Sequence, residues 1–126
     1  MVTVFIEHGI LRLELSPLHK FLAMKGMLKI PLESVKSVEI ATKVARAGPE
    51  GTRNPGTSIP HLINAGSFNA GVKRSFWDVH NPENAIQIKL KSGLLTGMDE
   101  RYDEVVVEVA DPIETIRNIE SALSGG

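Results

Sequence analysis

Arg46, Arg53, Lys73 and Arg74 supply cations within one stretch of the chain, and His61, Trp77, Asp78 and His80 supply polar and aromatic groups in the same stretch. Arginine beside tryptophan or other aromatics is the composition of a binding surface, because such side chains bury large area and still carry hydrogen-bond donors. Trp77 is the single tryptophan. The candidate binding set is therefore Arg46, Arg53, His61, Arg74, Trp77 and His80. It makes either a surface for a protein partner or, near Arg53, His61, Trp77 and His80, a pocket for a small molecule. The competing reading is structural. Adjacent strand residues point to opposite faces, so one of Phe76 and Trp77 is expected inward and the other outward.

Catalytic patterns are absent. His8, His19, His61 and His80 show no helical metal-ligand spacing, so a zinc site would need ligands converging from distant segments. There is no cysteine, which removes thiolate ligands and thiol nucleophiles. The glycines between Gly48 and Gly56 lack the Gly-Lys-Ser/Thr ending of a phosphate loop. Gly66-Ser67-Phe68 lacks the flanking glycine of a nucleophile elbow. The acids Asp99, Glu100, Asp103 and Glu104 read as a solvated, edge-protecting cluster rather than as an acid/base pair. The expectation is a non-enzyme with no catalytic residue, no metal and no cofactor.

Fourteen Lys and Arg balance fifteen Asp and Glu, a net charge of -1. Nucleic-acid binders carry a clear basic excess. No nucleic-acid partner is expected, and binding through Arg46, Arg53, Lys73 and Arg74 is the weakest of the readings. The N-terminus MVTVFIEHG has neither the basic region nor the apolar core of a signal peptide, and no apolar run approaches the ~20 residues that span a bilayer. A cytoplasmic protein without membrane insertion is expected.

These residues need a scaffold, and the periodicity describes one. At 126 residues the chain has the size of one domain. Val2, Val4 and Ile6 alternate with Thr3, Phe5 and Glu7, and Leu11, Leu13 and Leu15 with Arg12 and Glu14, so residues 2–15 read as a hairpin turning at His8-Gly9. Ser16-Pro17 opens a short helix that Gly26 ends. Residues 27–41 form an edge strand, or two strands bent at Pro31-Leu32-Glu33. Residues 42–60 hold three Gly and three Pro and no period, and read as a long loop. Strands are expected over 61–68, with Gly66 at a bulge, and over 73–79 and 85–90. After the turn SGLLTGMDE, a last strand carries Val105, Val107 and Val109 on one face. Asp111, Pro112 and Glu114 then start a terminal helix whose stripe Ile113, Ile116, Ile119 and Leu123 is expected to be buried on the strands carrying Ile86, Ile88, Val105 and Val107.

Pro31 with Val35 in LKIPLESVKSVEI, the Pro55-Gly56-Thr57 turn with Pro60, the segment from Phe76 to Leu90, and the VEVADP junction together resemble an uncharacterised family of small bacterial proteins with a pleckstrin-homology-like (PH-like) fold. The likeness covers nearly the whole chain. It implies a β-rich α+β domain over 1–126: a bent antiparallel sheet, or partly open barrel, capped by the C-terminal helix, with the short helix inserted after the first hairpin. PH-like relatives that bind phosphoinositides do so through basic residues near the first hairpin. Here that hairpin offers only Arg12 beside Glu7 and Glu14, so no lipid headgroup is expected. Others bind extended peptides at a sheet edge or self-assemble through edges. Fold alone assigns no function. The expected function is a non-catalytic binding or self-assembly module acting through a sheet edge, with the Pro31 strand as candidate, or through residues 46–60. The alternative is a small-molecule binder or minor enzyme with the pocket named above.

Overall fold

The turn at His8-Gly9 sets the first hairpin. His8 has φ 53° and Gly9 φ 75°, the two positive values of a type I′ turn, whose twist matches that of the flanking strands. β1 (Val2–Glu7) and β2 (Ile10–Leu15) pair antiparallel in unbroken register from Val2–Leu15 to Glu7–Ile10. The computed structural model describes residues 1–16, 27–48, 52–59, 63–70, 73–91 and 102–125. The helix expected over 16–26 and the turn at 92–100 fall outside the described residues apart from Ser16. β3 (Met27–Pro31) adds to β2, giving a three-stranded sheet of order β1-β2-β3.

The chain leaves this sheet where the sequence bends. A 3-10 turn, Leu32–Ser34, follows Pro31 and is fixed by the Leu32 N–H donating to the Gly9 carbonyl at 2.9 Å. Beyond it lies a six-stranded sheet of order β4-β8-β9-β7-β6-β5. Its strands are β4 (Val35–Ile40), β5 (Thr52–Ile59), β6 (Ile63–Ala70), β7 (Lys73–Val79), β8 (Ala85–Leu90) and β9 (Glu104–Glu108). Residues 42–60 are therefore not one loop. Thr42–Ala47 forms a short helix, α1, in which Lys43, Ala45, Arg46 and Ala47 are good helix formers and Ala45 is buried. Thr52–Ile59 is an edge strand, and a register shift between Arg53 and Gly56 leaves Pro55 out of the regular ladder. The bulge expected at Gly66 does not lie there: Gly66 pairs regularly with Gly56 and with Trp77, and the extra residue is on β5.

β9 runs between β7 and β8, which a second 3-10 turn, Pro82–Asn84, connects. A strand between two antiparallel neighbours must be parallel to one of them. β9 is parallel to β7 and antiparallel to β8, so the sheet is mixed where a wholly antiparallel one was expected. Among the described residues the strands form two sheets and close no barrel. Val105, Val106 and Val107 are all fully buried, as an uninterrupted apolar run on a central strand requires.

Two cores result. The larger one lies between the sheets and collects Leu11, Leu13, Leu28 and Ile30 from the first, and Phe76, Ile86, Ile88, Val105 and Val107 from the second. The smaller one lies under α1 and holds Ala41, Ala45, Phe68, Trp77, Val79, Ala85 and Val106. The terminal helix α2 (Pro112–Ser124) begins as expected: the Asp111 carboxylate accepts from the Glu114 N–H at 3.1 Å with Pro112 in the first turn. It packs on β4, β1 and β8, with Ile119 fully buried and Ile116 and Leu123 half-buried. Ile113 departs from the expected stripe and is 66% exposed. Ile116, Ile119 and Leu123 already supply the three inward positions of these turns, and Ile113 lies off that line. No described helix is long and apolar enough to cross a membrane.

Candidate functional site

β7 separates the residues that the sequence grouped. Arg74 belongs to the face of Phe76. Its guanidinium lies 5.1 Å from the Tyr102 ring centroid, Tyr102 meets Phe76 edge-on at 5.8 Å, and the Tyr102 hydroxyl is 2.7 Å from Ser67 Oγ. The Arg74 N–H donates to Asp103 Oδ2 at 2.8 Å. Trp77 faces the other way, under α1. Its Nε1–H donates to Ser75 Oγ at 3.2 Å, and Phe68 meets it edge-on at 6.5 Å. Trp77 is 2% exposed and Phe76 fully buried. The expectation that one of the two faces outward fails because α1 covers the second face of the sheet.

The remaining members are dispersed. Arg46 is exposed on α1 and forms an ion pair with Glu83 of the 82–84 turn. His80 is exposed after β7, where its N–H donates to Glu108 Oε1. Arg53 stands opposite Phe68 in the β5–β6 register, and His61 lies outside the described residues. Asp78 is fully buried, with the Met1 amino nitrogen 3.6 Å from Oδ2. No group of three His, Cys, Asp or Glu with metal-holding geometry occurs among the described residues.

A polar cavity of about 180 Å³ lies beside Trp77, lined also by Val44, Ala47, Lys73, Ser75, Gln87 and Glu104. Glu104 is 6% exposed and accepts from Lys73 Nζ at 2.6 Å and from the Gln87 amide. Charge-assisted bonds of this kind satisfy a buried carboxylate. The arrangement holds α1's side of the sheet together. Its volume falls below the roughly 300–1,000 Å³ of ordinary ligand pockets.

A different feature emerges at β1. The two-residue turn makes Glu7–Ile10 a hydrogen-bonded pair, and by alternation Phe5–Arg12 and Thr3–Glu14 are the same. The N–H and C=O groups of Val2, Val4 and Ile6 therefore point away from β2. No described strand pairs with that side. Instead it borders a groove of about 480 Å³, lined by Val2, Val4, Ile6 and, across from them, Ala110, Thr115 and Asn118.

The other three edges are blunted. On β3 the alternation turns Pro31 outward, where it offers no donor, and Lys29 is exposed. β4 carries a register shift between Val35 and Ser37 and exposed Lys36 and Glu39. β5 carries Pro55 and its own register shift. β1 has no Pro, no Lys and no bulge. Sequence reasoning chose the Pro31 strand because its proline marks an edge. The signal for β1 was the plain six-residue alternation VTVFIE, which the hairpin reading absorbed. No protein-family model, no curated protein and no solved structure matches this chain.

Proposed function

We propose that the protein is a non-catalytic, PH-like binding module that captures an extended segment of a partner protein as a fourth strand on β1. The observation that carries this reading is the unblunted outer edge of β1 over an apolar-floored groove. Strand addition draws affinity from main-chain hydrogen bonds and specificity from alternate side chains. Val2, Val4 and Ile6 present three residues' worth of donors and acceptors. The half-buried Val4 and Ile6 side chains give the guest an apolar floor, and Thr115 and Asn118 give it a polar wall. The preferred guest is a segment of alternating apolar and polar residues.

The test is selection from a random-peptide display library followed by titration of the selected peptide into labelled protein. The reading expects amide shift changes at Val2, Val4 and Ile6 and their loss in Val4→Pro, which removes an outward N–H and leaves the β2 pairing intact. Selected peptides that perturb other surfaces, or that bind Val4→Pro equally well, would reject it.

A further inference from the structure

Ile113 and Ile40 are the two most exposed large aliphatic side chains of the described residues, 66% and 50%, and they line one groove between α2 and β4. The same groove is lined by Ile116, Arg117, Glu120, Ser121 and Ser124. From the α2 N-terminus the exposed stripe reads as a large apolar end, a cation, an anion and a small polar end. Arg117 and Glu120 are both exposed, and Arg117 forms an ion pair with Glu114 one turn back, at 3.2 Å.

This stripe is complementary to its own inverse. When two α2 helices lie antiparallel about a two-fold axis between residues 118 and 119, one register pairs Ile113 with Ser124, Ile116 with Ser121, and Arg117 with Glu120. The bulky ends seat against the small ends, and each cation meets the partner's anion once, giving two such pairs per dimer. A two-fold interface requires such self-complementarity of a single patch. We infer that this face of α2, with Ile40 of β4 beside it, is an interface to a second copy of this chain. The surface is distinct from the β1 edge and its occupancy is independent of that reading. Seven residues a side is far below the ~20–30 of a standard interface, so the dimer is weak and forms toward the millimolar end of the concentration range.

Sedimentation equilibrium or light scattering from micromolar to millimolar protein reads this directly, with charge-swap variants as the diagnostic. The wild type is expected to approach twice the monomer mass. Arg117→Glu and Glu120→Arg alone should each weaken association at least tenfold. The double variant should restore it, because the pair is merely exchanged. An equimolar mixture of the two single variants should form a mixed dimer, since its cations and anions again face each other. Four results would overturn the inference: a monomer at millimolar concentration, a dimer indifferent to the single variants, no rescue in the double variant or mixture, or a dimer abolished by Val4→Pro.

Discussion

Phe76 and Trp77 are adjacent in sequence and buried in different cores, Phe76 between the two sheets and Trp77 beneath α1. β7 thus works as the partition of the domain. Replacing either with Ala removes a large aromatic from a closed core and should cost about 3–5 kcal/mol. Trp77 gives the check an optical form: native emission should be blue-shifted and weakly quenched by acrylamide, moving to solvent-exposed values only in the unfolding transition.

Glu108 joins the end of β9 to the turn after β7. Its Oε1 accepts from the backbone N–H groups of His80 at 2.9 Å and Asn81 at 3.0 Å. Glu108→Ala leaves both donors without that acceptor and should cost about 1–3 kcal/mol. Glu108→Gln keeps an oxygen there and should cost less. Urea denaturation of the three proteins gives the comparison, with equal midpoints counting against the role.

The three isoleucines of α2 should separate by burial. Ile119→Ala empties a fully buried site and should cost about 2–5 kcal/mol. Ile113→Ala should lie within about 0.5 kcal/mol of wild type, as surface substitutions do. Ile116, half-buried, should fall between them rather than in the full core range that its place in the stripe implied. Thermal unfolding of dilute protein ranks the three.

A side chain at Gly9 should be costly for a backbone reason alone. An added Cβ would meet nothing within 4 Å, yet φ is +75°. Gly9→Ala should therefore destabilise by about 1–2 kcal/mol, and the loss should show equally in denaturant and heat.

Local rules read well from the residues. The turn at His8-Gly9, the bend after Pro31, the strands at 73–79 and 85–90 and the Asp111-Pro112 helix start are all present, because each depends on a few neighbours. What failed depended on distant ones. Alternation at Phe76-Trp77 is correct, but a helix formed by Thr42–Ala47 covers the second face, and no periodicity in so short a segment announces it. Arg74 and Trp77 look like one site in sequence and lie on opposite faces of a sheet that is buried on both. Ile113 fits a loose apolar spacing of α2, yet it lies off the line that Ile116, Ile119 and Leu123 turn inward, and it is exposed. The open edge at β1 follows from strand order, a property of pairing that VTVFIE itself does not contain.

The openness of β1 is the central claim, and residue-resolved amide hydrogen exchange on dilute monomer tests it most directly. The N–H groups of Thr3 and Phe5, bonded to β2, should exchange slowly, while those of Val4 and Ile6 should exchange fast and slow down when a strand-adding peptide binds. Protection of Val4 and Ile6 equal to that of Thr3 and Phe5 in the free monomer would contradict the account, because the edge would already be filled.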